Sequence, residues 1–280
     1  MTDAQRRWEG RIAEHAVHRR PGSGPAVLFL NGCGMASVAW ETVVKALPGR
    51  AIIAVDRPGR CGGSVNEGAP DLLSGTRILA RIIDGDEPVI IVAHSMSSFQ
   101  AEALARLRPD AVAGIVLADP AVEVGVRIGH LRRAAAKALA GAVGAALRLD
   151  PLRGAAAAVV RFGMRRETSH PEAVDDPLWR ACHETREALS AAAAELASYS
   201  AQAADLTALR DERGGPVAAP VIVLEGRPFH SDYQEQALDT VFSRLEIRRL
   251  PQSRHLMMLD APEAIVRAIN DLSEGAVPAP

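Results

Sequence analysis

Pro88-Val-Ile-Ile-Val-Ala-His94-Ser95-Met96-Ser97-Ser98 decides the fold. An apolar strand runs straight into a serine whose neighbours two places away on either side, Ala93 and Ser97, are small, and a helix opens near Phe99-Gln100-Ala101. The spacing predicts a sharp strand-to-helix elbow in which Ser95 takes a strained backbone conformation that lifts its hydroxyl clear of the sheet. Bulk is poorly tolerated at 93 and 97, where strand and helix backbones nearly touch, and alanine and serine are the smallest choices after glycine. The plainer alternative is a buried turn in which Ser95 caps the helix.

Outward from the elbow, short apolar runs at 26–30, 51–55, 88–93, 114–118 and 221–225, with a weaker one near 245–250, alternate with helical patterns. That alternation predicts βα units around a mostly parallel sheet, with residues 11–20 adding an edge strand. Residues 121–218 hold no comparable run and are rich in Ala, Leu, Arg and Glu, which suits helices. The chain therefore divides into a core of residues 1–120 and 219–280 and a helical cap inserted at 121–218. Asp150-Pro151, Ser169-His170-Pro171 and Asp176-Pro177 mark breaks within the insertion, and Gly214-Gly215-Pro216 returns the chain to the core. Near the end, Leu250-Pro-Gln-Ser-Arg-His255 precedes a helix opened by Pro262. A loop histidine there can take the proton from Ser95, which is a poor nucleophile unaided.

The elbow, the terminal histidine loop and two earlier βα loops, in this order, resemble the α/β-hydrolase family. Leu28-Phe29-Leu30-Asn31-Gly32-Cys33-Gly34 resembles the loop that supplies half of that family's oxyanion hole, with Asn31 in place of the usual histidine. The resemblance implies that the backbone N–H groups of Cys33 and Met96 hold a developing oxyanion. Asp56-Arg57-Pro58-Gly59-Arg60-Cys61-Gly62-Gly63-Ser64 resembles the family's Asp-x-x-Gly-x-Gly-x-Ser signature with its end shifted by one residue. There Asp56 is expected to tie down loop amides and not to act in catalysis. For the acid that orients His255, some relatives use the end of the strand before the cap, which points to Asp119; others use the strand after it, which points to Asp232, with Glu225 a third candidate.

Composition restricts the functions available. The chain has 280 residues, 48% hydrophobic, with a formal net charge of −2. A sizeable core is affordable, and bulk nucleic-acid binding, which would show a basic excess, is disfavoured. Aromatics are only 4%, so the core is built from aliphatic residues, as suits helices on a parallel sheet. Cys33, Cys61 and Cys182 show neither metal-ligand spacing nor a disulfide framework, which with a polar Met1–Trp8 leads us to expect a cytoplasmic protein. No apolar run is long enough to span a bilayer. The arginines and lysine between Arg127 and Arg166, opposed in that interval by Asp150 alone, either steer an anionic substrate or pair with the acids after Glu167. The pairing reading is the one favoured. Met96, Phe162, Met164 and Trp179 are expected to line core or pocket. Gly275–Pro280 reads as a frayed end.

The resulting expectation is a serine hydrolase acting on an ester, lactone or thioester of a small molecule, with Ser95, His255 and Asp119 as triad and no cofactor or metal. The same fold hosts lyases, cyclases and carbon–carbon hydrolases that reuse these residues. Two readings of other classes remain. The glycines after Leu30 followed by Asp56 also resemble a nucleotide or S-adenosylmethionine loop, and a hydrolase fold can serve as a ligand-binding protein. Neither substrate nor oligomeric state is fixed by the sequence.

Overall fold

The computed structural model describes residues 8–61, 70–85 and 87–275. The Gly62-Gly63-Ser64 end of the signature loop, most of the polar N-terminus and residues 276–280 lie outside them. Eight strands form one sheet: β1 (Trp8–Ile12), β2 (His15–Arg20), β3 (Ser23–Leu30), β4 (Arg50–Asp56), β5 (Val89–His94), β6 (Val112–Ala118), β7 (Val221–Glu225) and β8 (Leu245–Arg249), in the order β1-β2-β4-β3-β5-β6-β7-β8. All pairings from β4 to β8 are parallel, while β1–β2 and β2–β4 are antiparallel. The expected single edge strand over 11–20 is thus a hairpin, turning at Ala13, whose φ is +53°.

Helices α1 (Glu41–Lys45), α2 (Leu72–Ile82), α3 (Ser98–Leu107), α9 (Asp232–Val241), α10 (Met257–Asp260) and α11 (Pro262–Ser273) flank the sheet. Side chains alternate along each strand, so each face buries its own set. Val27, Phe29, Ile90, Val92, Val116 and Ile222 pack with Trp40 and α11 on one side. Leu28, Leu30, Ile53, Ile91, Ile115 and Val223 pack with α2, α3 and α9 on the other. At about 1.5–3 kcal/mol per large aliphatic side chain, these two layers are the dominant stabilising term.

Between β6 and β7 the chain is helical: α4 (His130–Ala146), α5 (Asp150–Arg166), α6 (Pro171–Val174), α7 (Pro177–His183) and α8 (Arg186–Arg213). Three of these start at the breaks read from the sequence, each with proline in the first turn, where a missing N–H costs nothing. Helix α8 runs 28 residues because nothing between Thr185, its capping residue, and Gly214 interrupts it. Four of the nine basic residues pair with later acids, Arg127 with Asp211, Arg133 with Asp205, Arg161 with Glu184 and Arg165 with Asp175, while Arg153 pairs with Asp150 inside the interval. Trp179 and Met96 are buried and Met164 packs against the core, but Phe162 is exposed, contrary to expectation, and lies beneath the Arg166 guanidinium.

One further expectation is corrected. Cys61 and Cys182 form a disulfide, Cα atoms 4.9 Å apart, joining the loop after β4 to α7. Their separation of 121 residues hides the pairing from any spacing rule.

Candidate active site

Parallel register places the chemistry. Leu30 aligns with Ala93, His94 with Ala118, and Ala118 with Leu224, so the residues that follow each strand emerge along one edge. The carboxyl edge of a parallel sheet is where such folds bind ligands. Ser95 stands there with φ +52° and Asp119 with φ +45°. A side-chain-bearing residue avoids this left-handed region unless its surroundings enforce it. At Ser95 the enforcing contacts include its carbonyl, which accepts from Ala121 N–H at 3.1 Å. At Asp119, the backbone N–H donates to Leu224 O at 2.8 Å.

Asp119 and His255 meet. His255 Nδ1 lies 2.5 Å from Asp119 Oδ2, and the other carboxylate oxygen accepts from Gly226 N–H at 3.1 Å. With Nδ1–H donating to the carboxylate, the tautomer leaves Nε2 as an acceptor. Among the described residues no hydrogen bond occupies His255 Nε2 or Ser95 Oγ. His94, the residue before Ser95, holds the histidine loop at the elbow: its Nε2–H donates to His255 O at 2.9 Å and its ring lies 4.6 Å from the His255 ring. Burial, and then the neighbouring His255, keeps the His94 pKa well below the usual histidine range, so it is a neutral strut. The alternative acids are elsewhere. Asp232 opens α9 on the surface, and Glu225 is fully buried against His230 Nδ1 at 2.7 Å.

The loop after β3 is an accounting problem in amides. Gly34 N–H donates to Glu195, Met35 N–H to Gly32 O, Ala36 N–H to His183 Nε2, and Ser37 N–H to Asp56. Among the described residues nothing accepts the Cys33 N–H. The Met96 N–H lies in the first turn of its helix, where backbone donors have no intrahelical acceptor. The Cys33 thiol is itself pushed up to about 12, chiefly by burial and then by Glu195, which makes a thiolate nucleophile unfavourable.

Asp56 does what the signature implied. Its carboxylate is fully buried and meets four polar partners: it accepts from Ser37 N–H and Oγ–H at 2.7 and 2.5 Å and from Asn31 Nδ2 at 3.2 Å, and His18 Nε2 lies 3.2 Å from Oδ2. Spent in this way, it has no capacity left for ribose hydroxyls, which removes the basis of the nucleotide-loop reading. Asn31 also accepts from Trp40 Nε1 at 2.8 Å and so fills the position of the usual histidine as a buried connector. Sequence reasoning passed over His94, His183, Arg57 and Glu195. His94, inside the elbow, and Arg57, inside the signature loop, stood in stretches that drew attention, but neither was given a role. Glu195 follows a run of alanines with no local signal at all.

Comparison with known proteins agrees with this architecture. The family model for the alpha/beta hydrolase family matches residues 27–268. Lipase LipV of Mycobacterium tuberculosis is 39% identical over 115 residues, 40% of this chain and 43% of that protein. Esterase Rv0045c of the same organism is 36% identical over 103 residues, 35% of this chain and 34% of that protein. The matched stretch thus spans less than half of each relative. Among solved structures, Cfl2 of Burkholderia cenocepacia superposes with a TM-score of 0.77 at 19% identity, covering 95% of this chain and 94% of that one. A putative epoxide hydrolase of Pseudomonas aeruginosa gives 0.76 at 18%, covering 96% and 95%. An esterase of Thermogutta terrifontis gives 0.71 at 18%, covering 98% and 100%.

Proposed function

Since this chain belongs to the alpha/beta hydrolase family, we propose that it hydrolyses an ester-like acyl bond of a small molecule through an acyl-enzyme on Ser95. The observation that carries the reading is the 2.5 Å contact of His255 Nδ1 with Asp119 Oδ2 beside a serine held at φ +52°. Ser95 Oγ attacks the acyl carbonyl while His255 Nε2 takes its proton. Asp119 holds the imidazole in the tautomer that can do so and stabilises the imidazolium that forms. The amides of Cys33 and Met96 receive the oxyanion, each worth roughly 3 kcal/mol in the transition state. Collapse expels the alcohol or thiol, protonated by His255, and water releases the acid by the same steps in reverse.

A hydroxyl at the elbow, where a carboxylate would be needed to open an epoxide by alkyl-ester formation, favours acyl transfer over that chemistry. Helices α4 to α8, inserted between the strands that carry Asp119 and Glu225, act as the cap over this edge. The test is intact-mass analysis after exposure to a fluorophosphonate. We expect a single adduct on the wild type and none on Ser95→Ala or His255→Ala. An adduct that persists in Ser95→Ala, or none on the wild type, would refute the assignment.

A further inference from the structure

The loop after β3 is gripped by a buried ion cluster that the catalytic steps above do not use. Arg57 follows Asp56 at the end of β4. Its guanidinium donates to Asn31 O at 2.5 Å, to Gly32 O at 2.6 Å and, through Nε, to Glu195 Oε1 at 2.8 Å. Glu195, 3% exposed on α8, accepts from Gly34 N–H at 2.7 Å and lies 3.3 Å from Arg60 Nη2. Arg60 in turn donates to Ala188 O of the same helix at 2.6 Å. Burying two guanidinium groups and a carboxylate is costly, and a well-packed apolar cluster of equal volume would stabilise at least as well. What an apolar cluster cannot do is fix the direction of a peptide group.

Geometry supplies that role. Gly32 O and Cys33 N–H belong to one planar trans peptide and point in opposite directions. Holding the oxygen on Arg57 therefore fixes where the Cys33 N–H points. Gly32 already abuts the elbow, since a Cβ at that position would sit 3.1 Å from Ser95 Cβ. A planar guanidinium spans two carbonyls and a carboxylate at once, which a lysine ammonium on its flexible stem cannot reproduce.

We propose that Arg57 and Glu195 form a positioning pair that aims the Cys33 N–H at the oxyanion, with Glu195 making that donor dependent on the seating of α8 against the sheet. The inference rests on the acyl-transfer reading of the site. Neither residue touches substrate; both act through the Gly32–Cys33 peptide.

The experiment compares wild type, Arg57→Lys and Glu195→Gln for hydrolysis of p-nitrophenyl esters. Rates are taken per active site titrated with fluorophosphonate, alongside inhibition by a trifluoromethyl ketone, which forms an oxyanion on Ser95. Loss of aim lowers kcat by about 10- to 100-fold in Arg57→Lys, less in Glu195→Gln, with KM within about threefold. The ketone inhibition constant weakens by the same factor as kcat. A purely structural role would lower the fraction of titratable sites and leave kcat per site and ketone affinity unchanged, which would overturn the proposal. So would failure of both variants to fold, because the pair would then be holding the fold and not aiming a donor. A wild type that is neither labelled at Ser95 nor active on esters refutes the acyl-transfer reading instead, and this inference with it.

Discussion

Gly32→Ala is the substitution for which the structure gives the clearest quantitative expectation. A Cβ at Gly32 would lie 2.5 Å from His94 Nδ1, 3.1 Å from His94 Cε1 and 3.1 Å from Ser95 Cβ. Ordinary contacts are near 3.5 Å, so one side must give by about 1 Å. His94 is 1% exposed and tethered to His255 O, so moving its ring drags the histidine loop. Moving Gly32 instead carries the Cys33 amide away from the oxyanion. Overpacking of this size costs about 1–3 kcal/mol of stability, and a 1 Å misplacement in a catalytic array costs about 100-fold in rate. We expect kcat/KM for an activated ester to fall by about 100-fold or more while thermal denaturation still shows a cooperative transition. Gly141→Ala on α4, where nothing lies within 4 Å, is the control and should stabilise by about 0.5–1 kcal/mol with full activity. Wild-type kcat/KM in Gly32→Ala would show that the loop and His94 are not coupled as drawn.

Asp119→Asn should lower kcat by about 10³- to 10⁴-fold by favouring the wrong imidazole tautomer, whereas Asp232→Asn should be silent; equal effects in steady-state kinetics would overturn the choice of acid. Reducing the Cys61–Cys182 bond, or replacing both cysteines by serine, should cost about 2–4 kcal/mol, read as a lower urea midpoint that dithiothreitol reproduces in the wild type and not in the variant. Burial lowers the pKa values of His15 and His183 to about 4. The unfolded chain binds these protons below about pH 6.5 and the folded chain does not, so stability present above pH 6.5 is lost as pH falls toward 4, by roughly 2–3 kcal/mol for each group. Urea titrations between pH 7 and 4.5 should show this decline, and His183→Gln should flatten it; a profile unchanged by that substitution would refute the assignment.

What could be read from the sequence followed from local rules. The six predicted strands all form, five of them from the continuous apolar runs that a sheet buried on both faces requires and β8, Leu245-Glu-Ile-Arg-Arg, as a half-buried edge strand. The prolines after Asp150, His170 and Asp176 mark helix starts because proline is tolerated there and not farther in. In the sequence Asp119 could be preferred to Asp232 only through the position of its strand; in the structure its carboxylate lies against His255 Nδ1. The illegible parts are long-range. The Cys61–Cys182 bond and the Arg57–Glu195 contact join residues more than a hundred positions apart, and no periodicity or spacing encodes which turn of α8 faces the loop after β3. His94 was hidden for a different reason: in a strand a histidine reads as one more alternating position, and its function lies in the carbonyl its ring reaches.

The amide accounting of the loop after β3 bears on how far this enzyme is modular. Two of the acceptors for that loop, Glu195 and the Nε2 of His183, come from the helices inserted between β6 and β7. Grafting a relative's insertion onto this sheet, a usual route to changed substrate preference, would strand the Gly34 and Ala36 donors in a buried place at about 1–3 kcal/mol each. It would also leave Arg57 as an unpaired buried cation. A transplant that ignores those two residues would be scored as a failure of specificity when the lost element is the proposed oxyanion donor. Any chimaera built on this scaffold has to import a carboxylate and an imidazole at these two places along with the new pocket.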